Sequence, residues 1–183
     1  PLIDIGTHAL DLTLFMMNNY EPAYCVGKTF HKLNGQKNTG NAWGDWDPEK
    51  FTAEDSAFGF VVMKNGAVVY LKSSWALNMA NPIEAVTTIC GDKAGADMLD
   101  GLRVNTVMAG KQVMITPDLK GGSVAFFEGS GGSAPEDLES TTFTNAILGK
   151  GDLYVTADQA AVVTRILEGI YQSEETGKPY YFD

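Results

Sequence analysis

The sequence is short of basic residues, of thiols and of imidazoles. Its 183 residues hold 13 Lys and Arg against 23 Asp and Glu, a formal net charge of −10. No Lys/Arg cluster occurs, so the basic footprint that nucleic-acid binding demands is missing. An anionic membrane surface is a poor partner for the same reason. No apolar run approaches the ~20 residues of a transmembrane helix. Two cysteines, Cys25 and Cys90, supply neither a disulfide framework nor a zinc site, and a reducing, cytoplasmic setting is expected. The only imidazoles are His8 and His31, too few to join a carboxylate pair in a metal site, so none is expected. An initiating Met and a secretory leader are absent too. The chain opens at Pro1, with Asp4, His8 and Asp11 close behind. Ionisable groups so near a free end read as part of a longer polypeptide.

With 44% hydrophobic and 20% charged residues, the length suits one ordinary domain, or two very small ones. Residues 4–17 read as a helix in which Ile5, Ala9, Leu12 and Met16 make an apolar stripe, widened by Leu10, Leu14 and Met17. Asn18 and Asn19 end it, and residues 23–33 have strand composition. Residues 34–52 are polar, Gly/Asn-rich and carry two tryptophans, the marks of a long functional loop. Asn65-Gly66 between two apolar runs predicts a hairpin with a two-residue type I′ turn. That register places Phe58, Phe60 and Val62 on one face with Val69, Leu71 and Ser73, and Val61, Met63, Val68 and Tyr70 on the other. Both faces are then apolar, and a partner subunit is the natural cover for one of them.

Further strands are predicted at 84–90, 102–108, 112–116 and 123–127, with 128–140 loop-like. Thr156-Ala-Asp-Gln159 is a capping box that opens a helix with Val163, Ile166, Leu167 and Ile170 as its core face. Gly177 and Pro179 stop it, and Tyr180-Tyr181-Phe182 can add an edge strand. Many strands between two clear helices predict an α+β fold with a large, mainly antiparallel open sheet and helices on one face.

Asp4, His8 and Asp11 form the densest ionisable cluster. At about 100° per residue, His8 falls about 40° to one side of Asp4 and Asp11 about 20° to the other. An imidazole beside carboxylates on a mostly apolar helix is equipment for moving a proton; a solvated helix start is the plainer alternative. Trp43, Asp45 and Trp46 set flat apolar faces beside carboxylates, a pairing that suits a polyhydroxylated ligand. The plainer reading has the indoles covering the core. Gly129–Ala134 matches G-x-G-x-x-A, but Pro135-Glu136-Asp137 puts negative charge where a pyrophosphate would bind, and no βαβ pattern surrounds it.

Asp4-Ile-Gly-Thr-His8-Ala-Leu-Asp11 resembles the motif that opens the C-terminal domain of the Gfo/Idh/MocA oxidoreductases. Trp43 to Asp47, Glu54-Asp55, Asn65-Gly66, Ser74-Trp75-Ala76, the turn at Gly91–Ala96 and the stretch from Ala157 to Pro179 continue the similarity along the chain. Ala94 departs from the family's turn. The resemblance implies that residues 1–183 are a substrate-binding and oligomerisation domain, its N-terminal Rossmann domain lying outside this chain. It implies NAD or NADP in the complete protein, none held by these residues, and a homodimer or homotetramer formed through the open sheet face. His8 is then the expected acid/base for a hydroxyl of a sugar, inositol or related polyol. Asp4 would hold the substrate and tune the imidazole, while Asp11, Trp43, Asp45 and Trp46 would bind substrate. A ligand-sensing or scaffold role, or NAD-assisted glycoside hydrolysis, are the alternatives.

Overall fold

The computed structural model describes residues 1–37, 46–75, 77, 78, 80, 83, 86–99, 101–117 and 135–183. In chain order these form a π-helical turn (Leu2–Gly6), α1 (Thr7–Met17), β1 (Pro22–Phe30), a 3-10 turn (Pro48–Lys50), β2 (Ser56–Met63) and β3 (Val68–Ser74). There follow β4 (Thr88–Cys90), β5 (Ala94–Asp97), β6 (Arg103–Met108), β7 (Lys111–Ile115), α2 (Pro135–Ile147), α3 (Ala157–Thr176) and β8 (Tyr180–Tyr181). Two compact units result, one of Pro1–Pro82 with Asp158–Asp183, the other of Ile83–Ala157. The fold is α+β, with antiparallel ladders in both units, as the pattern of elements predicts. The described strands divide into two four-stranded sheets, β3-β2-β1-β8 and β4-β5-β6-β7.

In the first unit α3 crosses the inner face of its sheet. Val163, Ile166, Leu167 and Ile170 are buried, as their helical spacing predicts. They share one core with Cys25, Ala57, Val61, Met63, Val69 and Leu71 from the strands and Leu2, Leu10 and Leu14 from the chain start. The expected edge strand forms, Tyr24 pairing with Tyr181 and Cys25 with Tyr180. Beyond that short strand the β1 edge takes its partners from α3 instead. Gly27 N–H donates to Ser173 Oγ at 3.3 Å and Thr29 N–H to Glu174 Oε2 at 3.0 Å. Side chains thus cover an edge that would otherwise be open to a foreign strand.

The first helix buries only part of the apolar stripe its wheel predicts. Leu10 and Leu14 are fully buried, whereas Ile5 is exposed and Leu12 and Met16 are half-buried. The cause lies upstream, where the chain begins as a π-turn closed by Gly6 N–H to Pro1 O at 3.0 Å. That wider turn seats Leu2 and Gly6 on the core, and α1 continues from them. Asn18, left-handed at φ 45°, terminates α1 where expected.

The hairpin also differs from its predicted register. Val62 pairs with Val68, Phe60 with Tyr70 and Phe58 with Lys72. Met63 N–H donates to Ala67 O at 2.9 Å, so the loop is Lys64-Asn65-Gly66, three residues rather than two. A type I′ turn would need positive φ at both Asn65 and Gly66, yet only Gly66 has it, at 87°. One extra loop residue moves every β3 side chain to the other face relative to β2. Val69, Leu71 and Ser73 accordingly share the buried face with Ala57, Gly59, Val61 and Met63. The outer face carries Phe58, Phe60, Val62, Val68, Tyr70 and Lys72. Both faces remain rich in apolar residues.

In the second unit β6 and β7 match the predicted 102–108 and 112–116; of the segment predicted at 84–90, Thr88–Cys90 is strand, and 84 and 85 lie outside the described residues. β5 is an addition, turning back at Gly91, whose N–H bonds to Ala94 O at 3.0 Å. The expected loop at 128–140 is corrected, because α2 begins at Pro135. Pro at the first helical position with Glu136 and Asp137 behind it is a helix-start signature. The segments 123–127 and Gly129–Ala134 lie outside the described residues.

Candidate functional site

Asp4 stands on the π-turn and His8 on the first turn of α1; both are exposed. Each residue in a wider turn adds less rotation than the ~100° of an α-helix, so the predicted ~40° offset between them narrows. They therefore face one side on consecutive turns of a continuous helical segment. Asp11, one turn further, is half-buried, and its charge bears on Tyr20. Burial first and the Asp11 carboxylate second push the Tyr20 hydroxyl up from its ordinary range. That hydroxyl is buried and, among the described residues, without a hydrogen-bond partner. The predicted stripe thus divides into a solvent-facing pair, Asp4 and His8, and an inner carboxylate, Asp11.

The base of the pair is fastened from three other parts of the sequence. Glu54, half-buried just before β2, accepts at Oε1 from Leu2 N–H at 3.0 Å and from the Tyr171 hydroxyl of α3 at 2.8 Å. Ser73 Oγ of β3 donates to Pro1 O at 2.6 Å in a buried contact. Burial alone would raise the Glu54 carboxyl, but hydrogen bonds from Tyr171 and Leu2 outweigh it and hold the group below the usual carboxylate range. Burial and Glu54 together push the Tyr171 hydroxyl upward. A Cβ at position 6 would come within 3.2 Å of Leu2 Cδ1 and 3.4 Å of Ser73 Oγ. The Gly of the Asp-Ile-Gly-Thr-His run is therefore what lets the turn lie against β3. Sequence reasoning noted Glu54 and Tyr171 only as parts of motifs. Their meeting spans 117 positions, which no local signal encodes.

The neighbouring Asp55 is buried and organises the end of β1. Its Oδ2 accepts from Leu33 N–H at 2.8 Å and from Lys32 N–H. Of the tryptophan loop, Trp43 and Asp45 lie outside the described residues. Trp46 is half-buried and stacks on Phe51, with ring centroids 5.7 Å apart and planes at 23°. Its described ring partner is thus within the loop, not on the Asp4–His8 helix. Cys25 lies in the core, and burial pushes its thiol up to about 12, which removes it as a nucleophile near neutral pH. Among the described residues no group of three His, Cys, Asp or Glu is placed to hold a metal ion, and no helix is long and apolar enough to cross a membrane. Among the described residues one small cleft lies beside Tyr20 and Arg165 and another beside Gly27 and Lys178, and neither of these is lined by Asp4 or His8.

Residues 1–97 match the model of the GFO/IDH/MocA C-terminal domain. Over 178 residues the chain is 30% identical to D-glucoside 3-dehydrogenase of Escherichia coli K12, covering 97% of this chain and 47% of that protein. It thus spans about half the length of the curated relative it matches. Among solved structures, an Agrobacterium radiobacter oxidoreductase in complex with NAD+, L-tartaric acid and magnesium is similar at TM-score 0.65 and 17% identity, over 99% of this chain and 48% of that one. A super-repressor mutant of Gal80p from Saccharomyces cerevisiae is similar at TM-score 0.74 and 14% identity, over 99% and 49%. At such identities the likeness concerns the fold alone. The family match covers more than half of the chain and includes the Asp4–His8 segment, and the chain belongs to the GFO/IDH/MocA C-terminal domain family.

Proposed function

We propose that residues 1–183 are the substrate-binding and oligomerisation half of an NAD(P)-dependent dehydrogenase that oxidises a hydroxyl of a sugar, inositol or related polyol. The observation that carries this reading is the Asp4–His8 pair, exposed on consecutive turns, in a chain 30% identical to a D-glucoside 3-dehydrogenase. Oxidation of an alcohol requires its hydroxyl proton to leave, and an imidazole is the side chain that changes protonation state near neutral pH. In this reading His8 accepts that proton, while Asp4 accepts a hydrogen bond from a substrate hydroxyl and orients the imidazole. Asp11 supports the substrate side of the helix from its half-buried position, and Trp43, Asp45 and Trp46 supply stacking and hydroxyl contacts.

The nicotinamide cofactor finds no fitting cradle among the described residues. The described sheet ladders are antiparallel, unlike the parallel βαβ unit whose Gly-rich turn holds a pyrophosphate. In this reading NAD or NADP is held by a Rossmann domain outside these residues. The exposed outer face of β2 and β3 supports assembly as a homodimer or homotetramer.

Substituting His8→Ala in the complete protein tests the reading. Loss of a general base lowers kcat by roughly 10²–10⁴-fold, with the KM for the polyol changed far less. An unchanged kcat, or a protein that shows only a ligand response and no turnover, overturns it.

A further inference from the structure

We propose that Glu54 is a positioning residue for the Asp4–His8 site, a clamp that holds the chain start as a π-turn. The proposal rests on the reading of Asp4 and His8 given above, and its structural part stands on contacts in this chain.

The first N–H groups of a helical segment have no partner within it, and an anionic acceptor is favoured there by the helix dipole. Glu54 fills that role for Leu2 N–H from 52 positions away. It does not rotate freely, because the same oxygen accepts the Tyr171 hydroxyl. The carbonyl that closes the π-turn, Pro1 O, is held as well: it accepts both Gly6 N–H at 3.0 Å and Ser73 Oγ at 2.6 Å. Leu2 itself is fully buried. Isolated π-turns are rare and persist where the surroundings over-determine them. Here an ionised carboxylate, a hydroxyl from β3 and a buried leucine do so together.

The consequence falls on the site. Asp4 is inside the π-turn, whereas His8 is beyond it in regular helix. Relaxing the turn toward α geometry rotates Asp4 relative to His8 and shifts the two along the axis. Small misplacements of this kind are costly, about 10²-fold in rate for about 1 Å. In this reading Glu54 acts through the backbone that carries Asp4 and His8, by way of Leu2 N–H.

Amide hydrogen exchange on the complete protein tests the clamp. Gly6 N–H, the donor that closes the turn, reports it directly. In Glu54→Ala it is expected to exchange about tenfold faster, since local opening is set by the contacts that close it. Tyr171→Phe removes one of the two bonds and is expected to give about threefold. Glu54→Gln retains an acceptor oxygen and is expected to remain near wild type. Rates in β1 and β2, in the same compact unit, serve as the reference for that unit's stability and are expected not to change. In the complete protein, Glu54→Ala is expected to lower kcat about tenfold or more with KM within about threefold, and Glu54→Gln to restore most of it. Wild-type exchange at Gly6 in both Glu54→Ala and Tyr171→Phe overturns the clamp, as does acceleration spread equally through β1 and β2. If Glu54→Ala does not fold, Tyr171→Phe decides alone. The exchange result is independent of chemistry. A failure of His8 as base therefore appears in the His8→Ala rate and leaves Gly6 exchange untouched.

Discussion

Ile170 of α3 sits directly over two strands that have no side chain beneath it. A Cβ at Gly27 would come within 2.4 Å of Ile170 Cγ2, and one at Gly59 within 2.5 Å of Ile170 Cδ1. Two glycines on neighbouring strands, paired in register, thus make the seat for one isoleucine. Overpacking a core by one methyl typically costs about 1–3 kcal/mol, and Gly59→Ala is expected in that range. The conflict is with one named atom, which makes it separable from a general intolerance of the site. Ile170→Val deletes Cδ1 and alone costs about 0.5–1.5 kcal/mol. In that background the added Cβ finds room, so the two costs are expected to fall short of their sum by about 1 kcal/mol. Urea unfolding of the two single variants and the double variant measures the coupling. Strict additivity would mean that the backbone at Gly59 has another reason to lack a side chain.

At the scale of elements, the two described two-strand turns of contrasting type show where local chemistry decides and where it does not. Asn65-Gly66 is the pair that favours a type I′ turn, but the chain there makes a three-residue loop with Gly66 alone left-handed. The type I′ geometry occurs instead between β6 and β7. Met108 pairs with Lys111 there, and Ala109 and Gly110 both have positive φ, at 50° and 74°. An L-alanine in that region carries a strain of roughly 1–2 kcal/mol, from which Asn is partly exempt. Ala109→Asn is therefore expected to stabilise the second unit by about 0.5–1 kcal/mol, seen as a higher thermal midpoint. An unchanged or lower midpoint would contradict the turn assignment.

The same contrast explains how far the fold and site were legible beforehand. α3, β1 and β8 could be read from the sequence because caps, periodicity and stop residues act within a few positions. α2 had its signature at Pro135-Glu136-Asp137, overshadowed by the glycine-rich stretch before it. The hairpin register turned on a single loop residue, and propensity does not fix that count. In the site, Asp4 and His8 stood out as ionisable groups on one helix. The π-turn under them did not, because it depends on Glu54, Tyr171 and Ser73 meeting Pro1 and Leu2 through tertiary contacts.

For the whole molecule, the charge imbalance noted at the outset constrains how copies could assemble. These 183 residues carry −10, so two copies of them repel at long range, and any association between them would draw on apolar contact. The outer face of β2 and β3 offers it: Val68 is 44% exposed and Tyr70 74% exposed. Lys72 is the one charged residue on that face of the hairpin. In a two-fold contact this patch meets itself, so lysine faces a surface with no carboxylate of its own. Ion pairs within the patch are unavailable, and the repulsion between the bodies is the dominant electrostatic part. Salt shortens the range of that repulsion, the Debye length falling to ~10 Å at 0.1 M. Raising NaCl from about 0.02 M to about 0.5 M is therefore expected to strengthen self-association through this face, as read by sedimentation velocity. Tyr70→Glu would replace the patch's exposed ring by a carboxylate that adds to the negative charge of each copy, and is expected to weaken association by at least about tenfold, ~1.4 kcal/mol. Assemblies that salt disperses, or that Tyr70→Glu leaves intact, would place the interface on another surface.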